Sequence, residues 1–131
     1  MENEFNRAER LTALRPQIPV IIEESAVSVA ERFQNTTLRQ ICKLQHDLLE
    51  QIFKNYIVKR KNAYFKLGDQ QRLDYIKHAV DKDLRFRGLL VGLIAGHFTL
   101  EEWEIYLSDE NEHRKRLTNL VVQRLQSIYF G

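Results

Sequence analysis

Three polar residues interrupt the apolar stripes of this sequence and are its first candidates for binding chemistry. Gln45 and Arg60 share the spacing of the apolar residues of one predicted helix, and Arg124 lies among the apolar residues of the last one. Because buried polar groups must be paired, these side chains could meet in a ligand-binding pocket with His46 at its edge. The alternative interpretation is that the arginine stems extend along the ends of a bundle and place their charges in water.

Two pairs of residues have the spacing of metal ligands on a helix. His46 precedes Glu50 by four positions, and Glu110 precedes His113 by three. A di-iron bundle requires a second Glu-x-x-His motif, which this sequence lacks, so we expect both pairs to be solvated surface. The single cysteine, Cys42, lies in an apolar stripe and is expected to be a buried, unreactive thiol. We therefore predict no catalytic residue, no metal site and no cofactor.

Glycines occur at every fourth position of the stretch "RGLLVGLIAGHF", as Gly88, Gly92 and Gly96. A phosphate-binding loop needs a preceding strand and Lys-Ser/Thr after its last glycine, but His97 and Phe98 follow here. A membrane helix needs about twice this apolar length. The spacing therefore predicts a close crossing of two helices, within one chain or across a dimer interface. The apolar residues on the other sides predict central burial.

Basic residues cluster in two stretches, 59–66 and 114–116. Such clusters can bind phosphates while neighbouring aromatic rings, here Tyr64 and Phe65, stack on bases. We expect these rings to face the core instead. The 20 Lys and Arg against 18 Asp and Glu leave a formal net charge of +2, far from that of a dedicated nucleic-acid binder. Any nucleic-acid binding is expected to be weak, non-specific and salt-sensitive.

The segments that must position these residues have helical periodicity. Thr37 as N-cap with Gln40 as its capping-box partner predicts the start of a long amphipathic helix. This helix is expected to run to about Lys66 and to stop at Gly68, in the left-handed conformation that glycine accepts. Asp69 or a neighbour then caps the next helix, which continues into the glycine segment directly or after a short break.

Domain organisation follows from the same pattern. Both prolines lie within residues 1–19, which we predict to be an N-terminal arm, and residues 20–131 are predicted to form a single helical domain. No segment alternates apolar and polar residues for long enough to indicate a strand. The last two helices have N-cap signals, namely Thr99 with Glu102, and Ser108 or Asp109. The predicted fold is an all-α compact bundle of about five helices.

The cellular location is predicted from cysteine usage and from apolar runs. One cysteine cannot form an internal disulfide, which favours a reducing compartment. The first residues are charged and lack the apolar core of a signal peptide. No apolar run approaches the ~20 residues that span a bilayer. We expect a cytoplasmic protein that does not enter a membrane.

Segments spread over nearly the whole chain, among them "FQNTTLRQICKLQHDLL", "RLDYIKHAVDKDLRFRG" and "GHFTLEEWEIYL", resemble a family of short bacterial all-helical proteins sometimes labelled "glyoxalase". The resemblance transfers no functional residue to this sequence. Metal-dependent glyoxalases are built from βαβββ units with His and Glu ligands on strands, and the hydrolytic type needs an H-x-H-x-D-H motif. Neither pattern is present here, so the label implies no mechanism.

These observations favour an interaction protein over an enzyme. We expect a module without catalysis that binds another protein or itself, as a homodimer. The alternatives are a small-ligand-binding or enzymatic bundle that uses Gln45, His46, Arg60 and Arg124, with glyoxalase activity included, and a weak nucleic-acid binder.

Overall fold

The computed structural model describes residues 5–18 and 27–130, and every regular element in these ranges is helical. The α-helices are α1 Arg7–Leu14, α2 Val29–Phe33, α3 Arg39–Leu44, α4 His46–Lys59, α5 Asp69–Lys82, α6 Leu84–Ala95, α7 Leu100–Ser108 and α8 Glu110–Phe130. The all-α prediction is confirmed for the described residues. They contain more helices than the five or so predicted, because the predicted arm contains α1 and the predicted long helix is divided at Gln45.

The continuous helical stretch that leads into α3 begins before Thr37, the predicted N-cap of the long helix. Ser28 caps α2, since its hydroxyl accepts a hydrogen bond from the Glu31 backbone N–H at 3.1 Å. A π-helical turn, Gln34–Leu38, then joins α2 to α3 without a break. Thr37 lies inside this turn and is buried, so its prediction as an N-cap is wrong. Residues 20–26 of the predicted domain lie outside the described residues.

The predicted long amphipathic helix is two helices that end before Gly68. Gln45 leaves helical geometry between α3 and α4, with φ −90° and ψ 7°. At the end of α4, Lys61 adopts a left-handed φ of 59° and donates its N–H to Val58 O at 3.1 Å. Asn62 donates to Ile57 O at 3.1 Å. Together these bonds form a Schellman motif, with lysine where glycine is usual.

Gly68 does not end a helix and does not use glycine's conformational freedom. Its φ of −76° and ψ of 172° are extended, and it is the N-cap of α5. Gln71 Oε1 accepts its backbone N–H at 3.2 Å. The expectation of a left-handed Gly68 is therefore wrong, because the Schellman motif at Lys61 has already ended α4.

The later helices begin at capping residues that the sequence predicts. The predicted short break lies at Asp83, which separates α5 from α6. Its side chain accepts a hydrogen bond from the Phe86 N–H at 3.2 Å. Thr99 and Glu102 form the predicted capping box at the start of α7, with bonds of 2.9 and 3.1 Å. Asp109 directly precedes α8.

The core lies along α8, which packs on α3, α4, α5, α6 and α7. Leu117, Val121 and Leu125 place the inner face of α8 in this core with almost no exposure. Apolar burial of this kind is the main stabilising term in a small domain. Among the described residues, no helix combines the length and the apolar character needed to span a membrane.

The glycine-spaced helix is not central. Only one side of α6 is buried, through Phe86, Leu90 and Ile94, and all three glycines are exposed. A Cβ added at Gly88 or Gly92 would meet no described atom within 4 Å, while Gly96 ends the helix. The predicted close crossing within the chain is therefore wrong at Gly88 and Gly92. A crossing between two copies stays a prediction.

Candidate functional site

The polar residues predicted to share a pocket are held by different partners. Gln45 Nε2 donates to the Leu93 carbonyl at 3.3 Å. Arg60 instead pairs with Asp83 at 2.7 Å at the other end of α4. Gln45 and Arg60 therefore do not form the predicted common pocket, and Arg124 has a third environment.

His46 and Arg124 are the one predicted pair that the fold brings together. An arginine nitrogen only donates, so the 3.2 Å contact makes His46 Nδ1 the acceptor and places the ring proton on Nε2. Cys42 lies beside this pair and is buried. Burial raises the pKa of the Cys42 thiol to about 12, although Arg124 and Arg39 act in the opposite direction. The thiol stays protonated, as expected of an unreactive cysteine.

His113 is not the solvated residue that the sequence predicts. Its ring is 1% exposed and lies 5.0 Å from Phe33 and 6.0 Å from Tyr106, centre to centre. Nδ1 donates to the Tyr106 carbonyl at 2.9 Å, which satisfies a backbone oxygen near the end of α7. The residue is thus structural. Among the described residues, no group of three or more His, Cys, Asp or Glu side chains is placed to hold a metal.

The basic clusters differ in what they expose. Tyr64 is fully buried, as predicted, but Phe65 is more than half exposed, so the expectation that it faces the core is wrong. In the second cluster Arg116 pairs with Glu112 at 2.6 Å. The first cluster therefore exposes an aromatic ring, and in the second cluster Glu112 neutralises Arg116.

A different surface emerges on α7. Three large apolar side chains are exposed there, with exposed fractions of 77% for Leu100, 43% for Trp103 and 47% for Leu107. The spacing i, i+3, i+7 puts them on one side of the helix. We call these three residues the α7 stripe. The pattern is visible in "LEEWEIYL", but helical spacing alone does not show which of its apolar residues face the core.

The α7 stripe is rigidly presented. Tyr106, three residues after Trp103, points into the core and is 2% exposed. The Trp103 ring stacks on the Tyr106 ring at 5.6 Å, and Glu102 fastens the start of the helix through its capping box. Because Tyr106 occupies the core, the stripe cannot turn inward without emptying that position.

Acidic residues flank the α7 stripe. Glu101 and Glu104 are exposed on α7, and Asp109 and Glu110 follow its end. None of the four makes an ion pair with a residue that the structure describes. The chain as a whole has a net charge of +2. The exposed charges of α7 itself are thus acidic, while Arg7 of α1 lines a cleft with Leu100.

A second surface feature is the cleft between α4 and α6, with a volume of ≈ 500 Å³, which we call the α4–α6 cleft. Arg60 lies in it, with its guanidinium carbon 3.4 Å from the centre of the Tyr56 ring. Burial and the hydrogen bond to Asp83 raise the pKa of Tyr56 to about 12. The Phe86 N–H is the main cause of a lowered Asp83 pKa. Asp83 therefore stays ionised and keeps Arg60 in place.

Comparisons of the chain with protein-family models, with curated proteins and with solved structures gave no match. The resemblance to the family labelled "glyoxalase" therefore stays a prediction. Any function must be argued from the arrangement of the side chains.

Proposed function

We propose that the protein is an interaction module without catalysis, and that the α7 stripe binds an amphipathic helix with basic residues on a partner protein. The main support for this proposal is the exposure of Leu100, Trp103 and Leu107 on one side of a helix whose other side packs in the core. Large apolar surface that stays in contact with water costs free energy, and a partner that covers it recovers this energy.

The residue types of the α7 stripe suit binding. Tryptophan is among the residues most enriched at the energetic centres of protein interfaces, and leucine side chains around it exclude water. An amphipathic partner helix presents apolar residues at i, i+3, i+4 and i+7, which matches the spacing of Leu100, Trp103 and Leu107. A helix is therefore the partner element that fits this surface.

Charge decides which partner helix fits. Glu101, Glu104, Asp109 and Glu110 place negative charges around the stripe. Two copies of the stripe facing each other would bring these carboxylates together, and like charges across an interface oppose association. Lysine or arginine residues beside the apolar positions of a partner would instead pair with them. A cytoplasmic location is part of the proposal, and its support is the single free cysteine.

The test uses two synthetic, fluorescently labelled helical peptides with the same leucine pattern, one with lysine and one with glutamate at its polar positions. Fluorescence anisotropy measures their binding to the intact protein. We expect the lysine peptide to bind and the glutamate peptide not to bind. Leu107→Gln should lower the affinity for the lysine peptide by about tenfold or more, and Glu104→Lys should also lower it.

Val58→Gln is the matched control, because Val58 is also an exposed apolar residue but lies on α4. This variant should bind the lysine peptide as the parent does. Equal binding of both peptides, or equal effects of Leu107→Gln and Val58→Gln, would contradict the proposal. Sedimentation velocity of the parent supplies a further outcome, since a dimer that Leu107→Gln abolishes would assign the stripe to self-association instead.

A further inference from the structure

The α4–α6 cleft combines an apolar wall with cationic side chains. Ile52, Phe86 and Leu89 supply apolar surface, and Leu89 is more than half exposed. Lys59, Arg60 and Arg85 line the same cleft with a single carboxylate, that of Asp83. The cleft therefore has an excess of positive charge beside an apolar wall.

Two of the cationic side chains in the cleft can bind a ligand without first breaking an ion pair. Lys59 and Arg85 are exposed and make no ion pair with any residue in the described ranges. Both belong to the cleft lining, one from each helix. An anion placed between α4 and α6 would thus meet a cationic side chain on either side.

Arg60 is already ordered. Its Nη2 donates to Asp83 at 2.7 Å and its Nη1 to the Tyr56 carbonyl at 3.3 Å, while the guanidinium lies over the Tyr56 ring. A guanidinium has five N–H donors, so donors remain for a ligand. Because the side chain is already held in one position, a ligand does not have to order it on binding. The N-terminal end of α6 adds its positive dipole to the same cleft.

From this arrangement we propose that the α4–α6 cleft binds a small organic anion, with the apolar body against Ile52, Phe86 and Leu89 and the charged group between Lys59 and Arg85. The volume of ≈ 500 Å³ is in the range of small-molecule sites, about 300–1,000 Å³. A phosphate dianion is preferred over a carboxylate, because two unpaired cations face the charged group. This site is independent of the α7 stripe.

The test uses three probes with one naphthalene body: 1-naphthyl phosphate, 1-naphthoate and neutral 1-naphthol. Titrations are followed in ¹⁵N–¹H correlation spectra of the intact protein. We expect affinity to fall in that order, with 1-naphthol weaker than 1-naphthyl phosphate by about tenfold or more. Shifts should concentrate at residues 52–60 and 83–89. A carboxylate that binds more tightly than the phosphate would contradict the dianion preference.

Charge-removing variants locate the anion. Lys59→Gln and Arg85→Gln should each lower the affinity for 1-naphthyl phosphate by about fivefold or more, since each variant loses one charged contact. Lys54→Gln is the matched control: Lys54 lies on the same helix and pairs with Glu50, outside the cleft lining. Equal affinity of Lys59→Gln and Lys54→Gln for 1-naphthyl phosphate would contradict the proposed site. So would 1-naphthol that binds as tightly as the phosphate, or chemical-shift changes that concentrate on α7.

Discussion

Gly92 lies in the middle of α6 on a side where no described side chain packs against it. No heavy atom of the described chain lies within 4 Å of the position that a Cβ would take. A glycine inside a helix costs up to about 1 kcal/mol relative to alanine, and here no close contact within the chain offsets that cost. At Gly96 the same Cβ would lie 3.1 Å from the Gly92 carbonyl oxygen. The two glycines therefore differ in what they tolerate.

Gly92→Ala should raise the free energy of unfolding by about 0.5–1 kcal/mol, because alanine has fewer unfolded conformations and the added methyl group has open space. Urea denaturation followed by circular dichroism measures the change. Gly96→Ala is the comparison and should give no such gain, because a backbone oxygen must move. A loss of stability in Gly92→Ala that depends on protein concentration would instead show that a second copy covers this side of α6.

At the scale of elements, charge rather than apolar burial attaches α1 to the bundle. No residue of α1 is buried. Arg7 donates to the Phe98 carbonyl at 2.7 Å, and Arg15 donates to the His97 carbonyl at 2.7 Å and to both carboxylate oxygens of Glu102 at 2.6 Å. Carbonyl groups just beyond the end of a helix attract cations. The described part of the predicted N-terminal arm is thus a helix fastened through arginines.

Glu102→Gln should release α1, because the Arg15 guanidinium loses its ionised partner while it is largely buried. We expect faster tryptic cleavage at Arg10, which is exposed in α1, and a loss of about 2 kcal/mol in the free energy of unfolding. Glu101→Gln is the matched control, since Glu101 is the exposed neighbour on the same helix. Equal cleavage rates in Glu102→Gln and the parent would show that other contacts hold α1.

The same contact predicts a pH dependence. Burial acts to raise the pKa of Glu102, but the hydrogen bonds and charge of Arg15 and the bonds from Thr99 lower it overall. In the unfolded chain the carboxyl has its usual pKa of 4.5 and binds a proton first as the pH falls. The stabilisation is therefore complete above this value and is lost as the pH falls through the lower folded pKa. The difference in Tm between the parent and Glu102→Gln should shrink from pH 7 to pH 4.

The sequence predicted elements well where the signal is local. The Thr99–Glu102 capping box and the break near Asp83 depend on residues a few positions apart. Predictions failed where distant packing decides. Lys61 takes the left-handed position that glycine would signal, three residues before the buried Tyr64. An amphipathic pattern also cannot say which apolar side of α7 faces the core.

At the scale of the whole molecule, the fold separates two surfaces of opposite character. The α7 stripe is apolar with acidic neighbours, and the α4–α6 cleft is apolar with basic ones. A composition with nearly balanced charges conceals this separation. The sequence named Arg60 and Arg124 as candidates, but it could not place them, because their partners Asp83 and His46 are set by the packing of α4 on α6 and α8.

Trp103 tests the proposed interaction directly, because it is the only tryptophan in the chain and lies in the α7 stripe. The measurement is acrylamide quenching of its fluorescence, without and with the lysine peptide at saturation. We predict strong quenching in the free protein, and a blue-shifted emission with a lower quenching constant in the complex. An unchanged quenching constant with the peptide fully bound would place the binding surface elsewhere and contradict the proposed function.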